Sequence, residues 1–171
     1  MNLLPIVVAL VAAERLAELV YSARNTSALK ARGAVEIGAA HYPLIVLLHA
    51  AWIAALLFLV PWDTPPRWTW LGAYLVIEAA RVWTLASLGR FWTTRIISLP
   101  GAPLVKRGPY RFVRHPNYVV IVAEIAVLPL AFDAWRIALV FSLLNLAMLA
   151  WRIRAEEGAL APRRGETGPR G

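Results

Sequence analysis

The chain has 171 residues, 60% of them hydrophobic and only 16% charged, with a mean hydropathy of +0.59. Soluble domains carry about a quarter charged residues, so the composition points to one membrane-embedded bundle and excludes an ordinary soluble domain. Cysteine is absent, which excludes disulfides and thiolate chemistry, and the net charge of +8 gathers at the ends of apolar runs, not on a nucleic-acid-binding face.

Five apolar segments follow one another, at residues 3–20, 42–60, 68–88, 117–132 and 135–151. A membrane-crossing helix needs about 20 residues. The first segment is interrupted by Glu14, Arg15 and Glu18, which speaks against a cleavable leader. Pro65–Pro66 makes the turn between the second and third segments. In the third, Glu78 and Arg81 stand three apart and are expected to pair on one helix face. The fourth is short, contains Glu124 and Pro129, and reads as half of a tight hairpin that turns at Phe132–Asp133. Residues 161–171 are rich in Pro, Gly and Arg and read as a disordered tail behind a single domain of residues 1–160. The predicted fold is therefore all-α: an integral membrane bundle of five transmembrane helices, the last two forming a helical hairpin.

Alternating sides gathers 14 cationic residues, among them Lys30, Arg95, Lys106, Arg107 and Arg154, on one side and leaves only Arg67 and Arg136 on the other. The asymmetry places the basic side in the cytoplasm and the N-terminus outside.

Charges inside spans are costly and mark either function or interhelical salt bridges that fix the bundle. His41 and His49 are eight apart, too few ligands for a zinc site, and no metal is expected. The richest region lies at the ends of the hairpin. The hairpin returns Lys106–Tyr118 and Arg152–Glu157 to one water–lipid boundary. Asn145, Arg152 and Glu156, spaced seven and four apart, form one narrow helical stripe. Pro116 suits a first helical turn, which makes His115 a cap and leaves unpaired backbone N–H groups as an anion site beside Arg111 and Arg114. Each piece has a plainer reading. Arg152 and Glu156 also fit a surface ion pair, Arg111 and Arg114 membrane anchors, and His115 a boundary histidine.

The segments Gly108-Pro109-Tyr110-Arg111 and Arg114-His115-Pro116-Asn117-Tyr118, followed one hairpin later by Asn145 and by Arg152, Glu156, Glu157 and Leu160, resemble the isoprenylcysteine carboxyl methyltransferase family of integral membrane enzymes. The resemblance is strong over residues 105–160. It implies S-adenosylmethionine as methyl donor, with Arg152, Glu156 and Asn145 as catalytic residues and His115, Pro116, Tyr118, Tyr110, Arg111, Arg114 and Glu157 holding the cofactor. The chain has Val120 where the family often has Gly, and it passes directly from Leu160 into Ala161-Pro162-Arg163-Arg164. It looks most like the short bacterial members, some of which O-methylate alkylpyrone-type lipids. The implied partners are a lipophilic or lipidated substrate and membrane lipids, with no nucleic acid and no metal. Two other classes fit the residues: a phospholipid amine N-methyltransferase, and a non-enzymatic membrane carrier or assembly protein.

Overall fold

The computed structural model describes residues 2–39, 42–102 and 105–165, with side chains as far as Arg154. His41 and the side chains of Glu156 and Glu157 lie outside that range. Five helices follow in chain order: α1 Leu3–Lys30, α2 Tyr42–Leu59, α3 Trp68–Leu88, α4 Pro116–Leu130 and α5 Trp135–Gly165. Three stretches, Tyr42–Leu59, Trp68–Phe91 and Trp135–Arg154, are long and apolar enough to cross a membrane, and α4 is a shorter apolar helix. Only structures whose backbone groups are paired internally survive in lipid, and so the apolar runs become helices. Their outward faces carry bare apolar side chains such as Leu47, Phe58 and Val76, as a lipid-facing surface requires.

Three features depart from the sequence-based expectation. Helix α1 runs ten residues beyond residue 20, because its basic extension contains no Gly or Pro before Gly33. Gly33 takes φ +88° and lets Ala34 N–H reach back to Leu29 O at 3.1 Å, a left-handed helix stop. Helix α5 continues to Gly165, past the point where a tail was expected to begin. Finally, two short strands, β1 Val35–Ile37 and β2 Ile96–Ser98, pair antiparallel with Glu36 opposite Ile97. Three-residue strands have no sequence period to betray them.

The helices pack α3 along α4, α4 along α5, α5 against α2 and α2 against α1. The main core, including Leu4, Trp52, Leu56, Leu128 and Phe132, fills the end of the bundle away from the ribbon. There Asp133 adopts φ 57° in the hairpin turn, and Ala134 N–H caps Pro129 O at 2.9 Å. Arg67 pairs with Asp133 and donates its backbone N–H to Ala131 O at 2.8 Å, tying the α2–α3 turn to the hairpin. With that end closed by packing, the opposite end carries the polar groups.

Candidate active site

The segment leading into α4 is set by one glycine. Gly108 sits at φ +57°, and a Cβ there would stand 1.9 Å from Ser87 Oγ and 2.8 Å from Ser87 Cβ. No side chain fits, so the Gly108–Arg111 turn lies flat against α3, where Arg107 Nε donates to Ser87 O at 2.7 Å. The chain then reaches His115 in the N-cap position with Pro116 as the first helical residue, as expected. The His115 side chain does not cap the helix. Its ring stacks instead on Tyr118, with centroids 5.2 Å apart and planes at 17°.

Tyr118 in turn anchors Arg152. The buried Arg152 guanidinium donates Nε–H to Tyr118 Oη at 2.8 Å and Nη2–H to the Thr94 carbonyl at 2.6 Å. Its Nη1 makes no hydrogen bond among the described residues. An Arg held on two of its three nitrogens presents the third in a fixed direction. Thr94 is held just as firmly. Its N–H donates to Ser22 Oγ at 2.8 Å, its hydroxyl meets Ser22 and Tyr42, and Asn25 holds the preceding turn through Trp92 O at 2.8 Å. Arg95 lies over the Tyr42 ring, 4.0 Å from its centroid, and pairs with Glu36 of β1 at 2.5 Å. Lys30 and then Arg95 hold the Glu36 carboxyl below the usual glutamate range.

Arg152, Tyr118 and Asn145 share the wall of a cavity of about 460 Å³ between the helices, within the range of small-molecule sites. Thr94, Tyr42, Asn117 and His49 also line it, and Leu16, Ile45, Ile53 and Leu57 supply apolar surface. Three polar atoms of wall residues are buried without a hydrogen-bond partner: Nδ2 of Asn145, a residue only 2% exposed, Oδ1 of Asn117 and Nε of Arg15. An unpaired buried polar atom costs about 1–3 kcal/mol and invites a ligand that satisfies it.

A buried charge network forms another part of the wall. Arg81 grips both oxygens of Glu18 at 2.5 Å and both oxygens of Glu124 at 2.7 and 2.9 Å. Arg15 approaches Glu18 at 3.2 Å, Glu124 and Glu14 at 3.5 Å and Glu78 at 3.6 Å. The expected Glu78–Arg81 pair is not formed. Arg81 reaches across to α1 and α4, where two carboxylates surround it, while Glu78 faces Arg15. The network joins α1, α3 and α4 in a region where charges without partners are not tolerated.

Of the residues singled out from sequence, Asn145, Arg152 and Tyr118 meet on the cavity wall, with His115 stacked behind Tyr118 and Pro116 buried beside it. Tyr110, Arg111 and Arg114 lie outside the wall, and Arg111 rests over Phe112 at 5.1 Å. Thr94 escaped notice, and His49 was weighed from sequence only as a metal ligand beside His41. Thr94 acts through a main-chain carbonyl, which has no side-chain signature. His49 is a polar ring in an apolar span, the same signal that marked the in-span carboxylates.

The sequence profile of the isoprenylcysteine carboxyl methyltransferase family matches residues 70–162. The chain is 39% identical to the uncharacterised protein YpbQ of Bacillus subtilis over 160 residues, covering 91% of this chain and 95% of that one. An uncharacterised protein of Haemophilus influenzae is 31% identical over 158 residues, covering 90% and 92%. No solved structure matches.

Proposed function

The chain belongs to the isoprenylcysteine carboxyl methyltransferase family and is a membrane methyltransferase, and we propose that it moves a methyl group from S-adenosylmethionine to an oxygen of an amphiphilic lipid at the cytoplasmic face. The observation that carries this reading is Arg152, clamped by Tyr118 and Thr94 with Nη1 left over, on the wall of a largely apolar cavity.

The residues fit the donor. A methionine head brings both a cation and a carboxylate, and the unpaired Asn117 Oδ1 and Asn145 Nδ2 offer an acceptor and a donor on the same wall. Tyr118, backed by His115, supplies an aromatic face. When bound, S-adenosylmethionine supplies an electrophilic methyl carbon on a cationic sulfur. What the chain does is orient and dehydrate. Arg152 Nη1 holds the acceptor oxygen, a carboxylate or acidic enol, by a charge-assisted hydrogen bond. The apolar wall takes up the lipid tail and excludes water, so that most of the rate comes from alignment. Glu156 and Glu157, four and five residues beyond Arg152 along α5, complete the proposed cofactor contacts.

O-methylation is favoured over amine methylation by the charge of the described wall. Arg15, Arg81 and Arg152 face the cavity with one carboxylate, Glu18, whose two oxygens Arg81 holds, so an anionic or hydroxyl acceptor meets cations and an ammonium meets no free carboxylate. Methyl transfer from tritiated S-adenosylmethionine to a panel of prenylcysteine, alkylpyrone and aminophospholipid acceptors tests the assignment. Label in an aminophospholipid alone would overturn it.

A further inference from the structure

His49 stands in the middle of α2 with its Nδ1 2.9 Å from the carbonyl oxygen of Ile45, one turn earlier. A carbonyl oxygen only accepts, so Nδ1 is the nitrogen that carries the proton. In the neutral ring Nε2 then holds a lone pair. That atom is not among the buried atoms without a partner, makes no hydrogen bond to a described residue, and belongs to a ring that lines the cavity. A tautomer fixed by a backbone carbonyl, with the other nitrogen open toward a ligand space, is the arrangement a general base requires.

The other ionisable groups on the described wall are already engaged. Glu18 is held by Arg81 and Arg15, Tyr118 Oη accepts from Arg152, and Tyr42 Oη lies 3.2 Å from Thr94 Oγ1. Arg15, Arg81 and Arg152 are cations with nothing to accept a proton. A carboxyl or acidic enol can leave its proton at the water–lipid boundary and enter as the anion that Arg152 pairs with. A weakly acidic hydroxyl enters along apolar side chains in its neutral form and must shed its proton inside the cavity.

Resting on the methyl-transfer reading, we propose that the enzyme also accepts weakly acidic lipid hydroxyls and that His49 Nε2 is the catalytic base that takes their proton. As the acceptor oxygen bonds to the methyl carbon, the carbon–sulfur bond breaks with its electron pair left on sulfur, and the acceptor proton passes to Nε2. The positive charge lost from sulfur reappears on the imidazolium, which releases its proton to water at the basic end.

The full-length protein in detergent is assayed with two long-chain acceptors of different acidity: 4-dodecylphenol, protonated at neutral pH, and a 6-alkyl-4-hydroxy-2-pyrone, a much stronger acid. His49→Ala and His49→Gln should both lose about 100-fold in kcat/KM with the phenol, and at most a few-fold with the pyrone. Gln keeps a hydrogen-bonding group but takes up no proton, so its failure to rescue separates a base from a packing residue. Equal losses with both acceptors, or a wild-type enzyme that turns over the pyrone but not the phenol, would overturn the proposal. A second readout needs no turnover. In ¹⁵N-histidine-labelled protein with S-adenosylhomocysteine bound, the His49 Nε2 resonance should shift from lone-pair to hydrogen-bonded character when the phenol is added. An unchanged resonance in a complex that binds the phenol overturns the proposal. Absence of S-adenosylmethionine binding to the wild type would instead remove the methyl-transfer reading beneath it.

Discussion

Replacing Arg152 by Lys keeps the charge and removes the fork. The guanidinium reaches Tyr118 Oη at 2.8 Å and Thr94 O at 2.6 Å, and in the proposed complex its Nη1 holds the acceptor. An ammonium is a single point and reaches one or two of these at most. Hydrogen bonds to charged groups contribute about 1.5–3 kcal/mol each. The Lys variant satisfies the nearest backbone or phenolic oxygen and abandons the cavity, so it loses about one such bond at the acceptor. At 1.36 kcal/mol per tenfold in rate, kcat/KM falls about 100-fold, with the loss in kcat and not in donor affinity. Radiolabelled methyl transfer measures the rate, and a thermal melt in detergent confirms that the variant is folded. A folded Arg152→Lys protein within about threefold of the wild-type rate would refute an oriented guanidinium, since charge alone would then suffice.

Three further outcomes follow from the packing. Gly108→Ala places a methyl group where Ser87 Oγ lies 1.9 Å away and strains a φ of +57°, so it should destabilise the fold by about 3 kcal/mol, read as a lowered melting temperature. Arg81→Met leaves Glu18 and Glu124 without their shared cation and should cost about 3–5 kcal/mol, with Glu124→Gln in the same chain recovering part of the loss in a detergent melt. The Glu36 carboxyl is held below its ordinary value of 4.5 by Lys30 and Arg95, so its contribution to the ribbon is complete above that value and disappears as pH falls through the lowered one. The protection factors of the Val35–Ile37 amides, taken against their intrinsic exchange rates, should therefore fall at acid pH in the wild type, whereas Glu36→Gln should show low protection at every pH.

The helices were legible because a bilayer leaves the backbone no other choice, and an apolar run declares itself over its whole length. α3 was expected at its observed bounds. The hairpin turn was visible at Asp133, which breaks the apolar run, and the α4 start at Pro116, whose fixed φ and missing N–H suit a first helical turn. What local pattern does not encode is how one helix sits against another. Glu78 and Arg81 share a face by spacing, yet Arg81 turns to Glu18 and Glu124, 63 and 43 residues away in sequence. Gly108 stood out in a motif, but its reason, the Ser87 side chain in the space a Cβ would need, exists only after α3 and the loop have met. The grouping of Asn145 with Arg152 followed from helical periodicity alone. The Thr94 carbonyl that fixes Arg152 had no such periodicity to announce it.

Donor binding by this cavity underlies every step proposed for the enzyme. Calorimetric titration of the detergent-purified, full-length protein with S-adenosylmethionine and S-adenosylhomocysteine, beside His115→Ala, measures it. Saturable one-to-one binding, weakened several-fold when the ring behind Tyr118 is removed, is the predicted result. A folded, lipid-supplied wild type that binds neither compound would contradict a donor site at Tyr118, Asn117 and Asn145.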